Sequence, residues 1–256
     1  GKVIAVAVAC FVVLGLGGVA LDHVFPGPVG ASATVTSVGN YPPPFPATTA
    51  AAPGAVRTVP GPQLRASTSA MMALQHLTGS VAPNFSLVDQ HGHLLTLRGF
   101  RGKVVVLSFF DATCDDICTV LENELSQAYA NLGRGASQVV LLTVNTDPLA
   151  LTIASARRGA AAKTRSPAWH FLTGSLPQLN TVWKSYGIGI EVQRRTGGVS
   201  HNNLLYFIDR SGRLRLRATP FANQTAAGVF ALPKPTEEAW ASGIADQARH
   251  LLGATG

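Results

Sequence analysis

Residues 104–118 read VVVLSFFDATCDDIC, an apolar run that leads into two cysteines four residues apart. The run Val104–Phe110 predicts a buried β-strand, and the stretch Val120–Leu132 after the cysteines predicts a helix. Cys114 and Cys118 are therefore expected on a strand-to-helix turn, where a helix N-terminus stabilises thiolates. Residues four apart share one helix face, so the two sulfurs can converge on one target. That target is either each other, as a disulfide, or one soft metal ion.

Segments on both sides of this turn alternate between strand-like and helix-like patterns. Strands are predicted at Phe85–Val88, Leu94–Leu97, Gln138–Asn145, Trp169–Gly174, Leu204–Ile208 and Arg213–Arg217, and helices at Leu149–Ala162, Leu176–Tyr186 and Glu237–Leu252. Apolar strands that alternate with helices form a mainly parallel sheet covered on both faces, to which the last two strands add an antiparallel hairpin. With two cysteines after the first inner strand, this order predicts an α/β, thioredoxin-like fold in which helices flank a central mixed sheet.

The chain ahead of this fold divides by composition into two segments. Residues 3–21 are almost entirely apolar, and as a helix they would cover about 28 Å, close to the roughly 30 Å hydrocarbon core of a bilayer. Residues 1–22 are therefore predicted to be an N-terminal transmembrane helix that anchors the chain; a cleaved signal peptide is the alternative, although its apolar region is normally shorter. Residues 23–80, rich in Pro and Ala, predict a largely irregular spacer, and 81–256 the thioredoxin-like domain.

The charge and the cysteine count exclude several classes of protein. The formal net charge is +7, but the basic residues form short scattered clusters without aromatic interleaving or a nucleic-acid motif, so no nucleic-acid partner is expected. Of three cysteines, Cys10 lies within the predicted anchor, which leaves two for the rest of the chain. Two cysteines are too few for a disulfide scaffold and are the number that one reactive pair needs.

A third ligand would complete a metal site at the two cysteines. Thiolates select soft ions such as Cu(I) or Zn, and redox pairs commonly have two intervening residues where this pair has three. His201 lies in a loop directly ahead of the strand Leu204–Ile208, which a thioredoxin-like sheet places beside the cysteine turn. Thioredoxin-type oxidoreductases have a cis-proline there, whereas residues 178–219 contain no proline. The histidines of the turn 91–93 are expected to be solvated, and His170 to be a hydrogen-bonded core residue.

Ordered motifs along residues 81–217 resemble those of the Sco/SenC copper-chaperone family. They are Ala82-Pro83-Asn84-Phe85, Gly102-Lys103, the Cys114-x-x-x-Cys118 pair, Val144-Asn145-Thr146-Asp147-Pro148, Trp169-x-x-Leu172-Thr173-Gly174, Tyr186-Gly187, and His201 ahead of Leu205-Tyr206-Phe207-Ile208-Asp209-x-x-Gly212. The chain departs from the family where prolines normally follow both cysteines, because Asp115 and Thr119 stand there. A second aspartate expected soon after Asp147-Pro148 is also absent.

The resemblance implies a membrane-anchored protein on the extracytoplasmic side of the cell membrane that helps assemble cytochrome c oxidase. It implies Cu(I) bound by Cys114, Cys118 and His201, with the copper-bearing subunit of the oxidase as recipient. Because a disulfide is the default state outside the cytoplasm, the pair would need a thiol reductant before it binds copper. Metal delivery requires no substrate turnover, so the chain is not expected to be an enzyme in the strict sense.

Two other functions use the same cysteines. A membrane-tethered thiol–disulfide oxidoreductase would exchange disulfides with an extracytoplasmic protein through Cys114 and Cys118, and its activity would not depend on His201. A peroxidase would use a reactive Cys114, but no Pro-x-x-x-Thr-x-x-Cys pattern precedes it. The metal site is favoured over both because of the cysteine spacing, the missing proline and the position of His201.

Overall fold

The computed structural model describes residues 66–114, 117–161, 166, 168–193, 198–224 and 230–253. The predicted anchor at residues 1–22 and the predicted spacer as far as residue 65 lie outside these residues. Within the described part, no helix combines the length and the apolar character that a membrane span requires.

Five helices and twelve strands make up the described chain, together with 3₁₀ helices at Leu97–Phe100 and Gly133–Gln138. The helices are α1 Ala66–Met71, α2 Ile117–Asn131, α3 Ile153–Ala161, α4 Leu176–Tyr186 and α5 Lys234–Gly253. The strands are β1 Gln75–His76, β2 Ser86–Asp89, β3 Leu94–Thr96, β4 Val104–Phe110, β5 Val139–Asn145, β6 Trp169–Thr173, β7 Ile190–Val192, β8 Val199–His201, β9 Leu205–Ile208, β10 Leu214–Ala218, β11 Asn223–Gln224 and β12 Phe230–Ala231.

Eight of the strands form one mixed sheet in the order β1-β10-β9-β4-β5-β6-β2-β3. Strands β4, β5 and β6 run parallel, and the other pairs are antiparallel. The predicted mixed sheet with flanking helices is therefore confirmed. Since β9 runs antiparallel to β4, the start of β9 lies at the same edge of the sheet as the end of β4.

The core occupies both faces of the sheet, and β4 lies at its centre with every residue buried. On one face, α2, α3 and α5 cover a layer that includes Val106, Phe110 and Cys118. On the other face, α4 covers a layer that includes Val105, Leu107 and Phe109. This alternation is what a strand buried on both sides requires, because successive side chains point to opposite faces.

Most predicted elements are present, with shifted ends. Helix α2 begins at Ile117, so that Cys118 lies in its first turn. Helix α3 begins at Ile153, because the Thr152 hydroxyl accepts a hydrogen bond of 3.0 Å from the Ser155 N–H and caps the helix. Helix α4 has the predicted ends, with a capping box at Ser175 and the left-handed Gly187 after its last residue.

The packed fold also includes residues that the sequence pattern places in the spacer. Strand β1 pairs with β10 at the edge of the sheet, and the Met72 side chain is fully buried in the core. Helix α1 precedes them. Part of the segment 66–80 therefore belongs to the domain that was expected to begin at residue 81.

Candidate functional site

The two cysteines meet at the carboxyl end of β4. The turn 111–114 leaves the strand, and a disulfide joins Cys114 to Cys118 with the two Cα atoms 6.0 Å apart. Cys118, in the first turn of α2, is fully buried, whereas Cys114 is partly exposed. The structure thus confirms that the pair converges and shows it in the oxidised form. Cys114 carries the sulfur that a solvent-borne thiol reaches first.

Hydrogen bonds among two carboxylates and a hydroxyl group stabilise the turn. The Thr113 hydroxyl lies 2.9 Å from Asp111 Oδ1 and 3.2 Å from Asp147 Oδ2, and its single proton is donated to one of them at a time. Asp111 also accepts the Thr113 N–H at 2.6 Å. Burial, together with the charge of Asp111, raises the pKa of Asp147. These buried negative charges beside Cys114 oppose thiolate formation and favour a bound cation.

Asn145 ties the carboxyl end of β5 to the cysteine turn. Its Oδ1 accepts the Ala112 N–H at 3.2 Å and the Asp147 N–H at 3.0 Å. Its Nδ2 donates to the carbonyls of Asp147 and Ala150 at 3.1 and 3.0 Å. One fully buried side chain therefore satisfies four backbone groups and fixes where Ala112 begins the turn. Asn145 belongs to the Val144–Pro148 motif, but its role depends on a hydrogen bond to the turn that follows another strand, β4.

His201 is the last residue of β8, and it pairs with Ile190 across a small two-stranded sheet. Its Nδ1 lies 3.3 Å from the carbonyl of Asn202. Because a carbonyl only accepts, this hydrogen bond requires a proton on Nδ1, and in a neutral ring the lone pair is then on Nε2. The Asn202 side chain bonds the Gly189 N–H and the Gly187 carbonyl, which holds this segment in place. Strand β9 follows, so His201 precedes the sheet at the edge where the cysteine turn leaves it.

The structure does not assemble three ligands around one point in this oxidised form. Among the described residues, no group of three or more His, Cys, Asp or Glu side chains is placed to hold a metal ion. The disulfide itself accounts for part of this, because its sulfurs are not thiolates. Two of the three predicted ligands are joined, and the third lies on a neighbouring segment.

Three other histidines, His91, His93 and His170, form hydrogen bonds with a different carboxylate, that of Asp89. His91 and His93 are exposed, as expected, while His170 is largely buried with its Nδ1 3.2 Å from Asp89 Oδ2. Burial of Asp89 works against ionisation, but hydrogen bonds from the backbone N–H groups of His93 and His91 and from the His170 ring hold its pKa below the usual range. Asp89 therefore acts as an anchor for the 91–93 turn.

The family model for SCO1/SenC proteins matches residues 75–228, which is more than half of the chain. The chain belongs to the SCO1/SenC family. The match contains the cysteine turn, the Asn145–Asp147 segment and His201. It also contains Gln75–His76, the strand that lies ahead of the expected domain boundary.

This SCO1/SenC chain is similar to curated proteins of two kinds. It is 23% identical over 137 residues to an SCO2-like protein of Rickettsia typhi, a match that covers 50% of this chain and 65% of that protein. It is 27% identical over 153 residues to a chloroplastic peroxiredoxin Q of Triticum aestivum, covering 60% and 64%. It is 31% identical over 145 residues to alkyl hydroperoxide reductase E of Mycobacterium tuberculosis, covering 54% and 81%. The chain thus spans just under two thirds of the length of the first two relatives.

Solved structures of Sco proteins share the fold. Bradyrhizobium japonicum ScoI with copper bound aligns with a TM-score of 0.51 and 23% identity, over 68% of this chain and 100% of that one. Apo Sco1 of Thermus thermophilus aligns with a TM-score of 0.54 and 23% identity, over 70% and 95%. These likenesses establish that the SCO1/SenC chain has the mixed, thioredoxin-like Sco fold.

Proposed function

We propose that this SCO1/SenC protein binds Cu(I) through Cys114, Cys118 and His201 and delivers it to the copper-bearing subunit of cytochrome c oxidase. The observation that supports this most is the joined cysteine pair at the carboxyl end of the central strand in a SCO1/SenC fold. Two thiolates and an imidazole suit a soft monovalent ion. The copper-bound state of a structural neighbour, ScoI, agrees with this choice of metal.

Loading begins with reduction of the disulfide. A thiolate of a thiol reductant attacks the accessible Cys114 sulfur, forms a mixed disulfide and releases Cys118 as a thiolate; a second reductant thiolate then releases Cys114. Two electrons pass from the reductant, which leaves as its disulfide. Cu(I) replaces the protons that the two thiols would otherwise hold. Oxidation of the pair would expel the ion, so the same sulfurs couple delivery to redox state.

His201 is proposed as the third ligand through Nε2. The Nδ1 proton is held by the Asn202 carbonyl, and that contact fixes the tautomer with its lone pair on Nε2, as outer hydrogen bonds do in protein metal sites. A neutral imidazole adds no charge, so the complex of Cu(I) with two thiolates carries one negative charge. The small β7–β8 sheet would have to bring the ring to the reduced cysteines.

We also propose that the protein works at the extracytoplasmic face of the cell membrane, tethered by the predicted helix at residues 1–22. A stable Cys114–Cys118 disulfide is expected in an oxidising compartment. Labelling of intact cells with a membrane-impermeant thiol reagent after mild reduction checks this: labelling of the pair is expected, and labelling only after lysis contradicts it.

A thiol–disulfide oxidoreductase is the second candidate, favoured by the similarity to alkyl hydroperoxide reductase E and peroxiredoxin Q. It would use Cys114 and Cys118 without metal. The peroxiredoxin pattern Pro-x-x-x-Thr-x-x-Cys ends at neither cysteine: Leu107 and Asp111 stand at its Pro and Thr positions for Cys114, and Asp111 and Asp115 for Cys118. The two candidate functions differ in whether they need His201.

Anaerobic Cu(I) titration of the reduced full-length chain separates the two functions. One tightly bound copper per chain is expected, absent in Cys114→Ser and in Cys118→Ser. In His201→Ala we expect affinity to fall by about tenfold or more, since loss of an outer-shell partner alone has about that effect. The matched control is His91→Ala, an exposed histidine outside the proposed site, which is expected to bind like the wild type.

The same variants are then assayed for reduction of a disulfide-bonded test protein. Absence of tight copper binding, together with disulfide exchange that His201→Ala leaves unchanged, would establish the oxidoreductase and overturn the copper proposal.

A further inference from the structure

Five exposed basic side chains gather at the edge of the sheet opposite the cysteine turn. They belong to three connections: the turn before β4, the 3₁₀ helix before β5, and the β9–β10 turn. Because β4 and β5 run parallel and β9 runs antiparallel to β4, all three connections lie at the amino ends of β4 and β5. This set is called the basic edge and consists of Arg101, Lys103, Arg134, Arg210 and Arg213.

Backbone contacts hold two of these turns together. The Gly102 N–H donates to the Arg210 carbonyl at 2.8 Å, and Arg210 Nε donates to the Gly102 carbonyl at 3.0 Å. Arg213 Nη1 donates to the Gly79 carbonyl at 2.8 Å. A carbonyl acceptor fixes a guanidinium without neutralising it. These arginines are therefore held in place with their full positive charge.

The acidic groups near the basic edge are already paired. Asp209 is buried and forms its ion pair with Arg215, and Asp246 of α5 forms one with Arg249. In the described part of the chain, none of the five basic-edge side chains has an ion-pair partner. The edge therefore presents uncompensated positive charge to whatever faces it.

The opposite edge of the sheet carries the cysteine turn and two buried carboxylates. Asp111 and Asp147 lie beside the cysteine turn, at the carboxyl ends of β4 and β5. Seven strand residues separate the two edges along β4, which at about 3.3 Å per residue is roughly 20 Å. An anionic surface that attracts the basic edge would thus turn the cysteines away from itself.

We propose that the basic edge docks on an anionic phospholipid surface and orients the domain with its cysteine turn away from the membrane. The proposal does not depend on copper and goes beyond the proposed function. Phospholipid is favoured over nucleic acid because the three connections present no exposed aromatic side chain on which bases could stack. The predicted Pro- and Ala-rich spacer would not orient the domain relative to the membrane. The charge of the basic edge would determine that orientation.

The test measures how close the basic edge lies to lipid. The full chain carries Cys10→Ser and is oxidised so that the Cys114–Cys118 disulfide is closed. A donor fluorophore is attached at Ser137→Cys, beside the basic edge, or at Leu149→Cys, at the opposite edge. Both positions are exposed. Each is reconstituted with vesicles of phosphatidylcholine alone or with about 30% phosphatidylglycerol, containing an acceptor-labelled lipid. Transfer from position 137 is expected to exceed that from 149 only with phosphatidylglycerol. Raising NaCl from about 0.1 M to about 0.5 M, which shortens the screening length from about 10 Å to about 4 Å, is expected to abolish the difference.

Charge variants supply the second arm. Arg101 and Lys103 make no side-chain hydrogen bond in the described structure, so the double variant Arg101→Gln, Lys103→Gln is expected to fold. Each basic residue near an anionic surface strengthens docking about fivefold, so the docked-to-undocked ratio is expected to fall about 25-fold. The matched control is Lys184→Gln, an exposed lysine on α4 away from this edge, which is expected to leave the ratio unchanged.

Three outcomes overturn the proposal. They are equal transfer with and without phosphatidylglycerol, a loss in Lys184→Gln as large as in the double variant, and displacement from the vesicles by equimolar duplex DNA, which would identify nucleic acid as the tighter ligand. If residues 1–22 do not insert, co-flotation of the unlabelled chain with phosphatidylglycerol vesicles reports docking directly. The copper titration has its own readout, so failure of one proposal leaves the other standing.

Discussion

At the scale of single residues, Glu124 of α2 is the side chain least expected where it lies. Its carboxyl group is fully buried, and neither oxygen has a hydrogen-bond partner among the described residues. Burial, together with the charge of Glu237 on the facing helix α5, raises the pKa of Glu124 to about 8. Near neutral pH the folded chain therefore holds this group as an uncharged acid, while the unfolded chain ionises it.

This difference makes the stability of the fold depend on pH. Below the ordinary glutamate pKa both states are protonated, and the group does not disfavour folding. As the pH rises towards 8 only the unfolded chain loses the proton, so the free energy of unfolding is expected to fall by about 3 kcal/mol between pH 5 and pH 8. Chemical denaturation at several pH values measures this fall. Glu124→Gln is expected to remove it, whereas Glu238→Gln, an exposed neighbour on α5, is expected to retain it. Identical pH profiles for Glu124→Gln and the wild type would contradict the assignment.

At the scale of elements, the packing of α3 on the cysteine turn depends on Gly159. A Cβ atom at this position would lie 3.0 Å from the Ala112 carbonyl oxygen and 3.1 Å from Ala112 Cα. The helix therefore touches the backbone of the turn that carries Cys114. Both contact atoms belong to main chain that the Asn145 side chain already holds, so they cannot move aside as a flexible side chain would.

Gly159→Ala is accordingly expected to destabilise the protein although alanine is the better helix former. On an open helix surface the change would add about 1 kcal/mol of stability. Here the overlap is expected to lower the free energy of unfolding by about 2 kcal/mol and to change the rate at which dithiothreitol opens the disulfide. Gly253→Ala, at the end of α5 with open space around it, is the control and is expected to be neutral or slightly stabilising. A stabilised Gly159→Ala would show that α3 does not press on the turn.

The elements that could be predicted are those whose signals are local. Strand β4 is an unbroken apolar run, and α4 is marked by Ser175 at its start and Gly187 at its end. The β7–β8 hairpin gave no such signal, because each strand has three residues and pairs only with the other. Likewise, the spacing of Cys114 and Cys118 predicts that they meet. The hydrogen bonds of Asn145 could not be predicted, because they join the segments that follow β4 and β5, which come together only in the folded chain.

At the scale of the whole molecule, the point where the folded domain begins is set by contacts distant in sequence. Met72 lies fully buried against α5, where a Cβ on Gly243 would overlap its sulfur. The short strand β1 then covers β10, which would otherwise be an exposed edge. Neither feature is visible in the composition of residues 23–80, since a helix of six residues and a strand of two become stable only when the rest of the domain is present.

If Met72 attaches this first segment to the domain, its truncation should destabilise the whole fold. Met72→Ala is expected to lower the free energy of unfolding by about 3 kcal/mol, the range found when a buried methionine is removed from a core. Met71→Ala, whose side chain is only partly buried, is the control and is expected to lower it by about 1 kcal/mol or less. Urea denaturation of the full chain measures both, and a single transition is expected because Met72 belongs to the same core layer as Cys118. Equal small losses in the two variants would mean that residues 66–76 fold apart from the sheet. The domain could then begin at residue 81 without loss of stability.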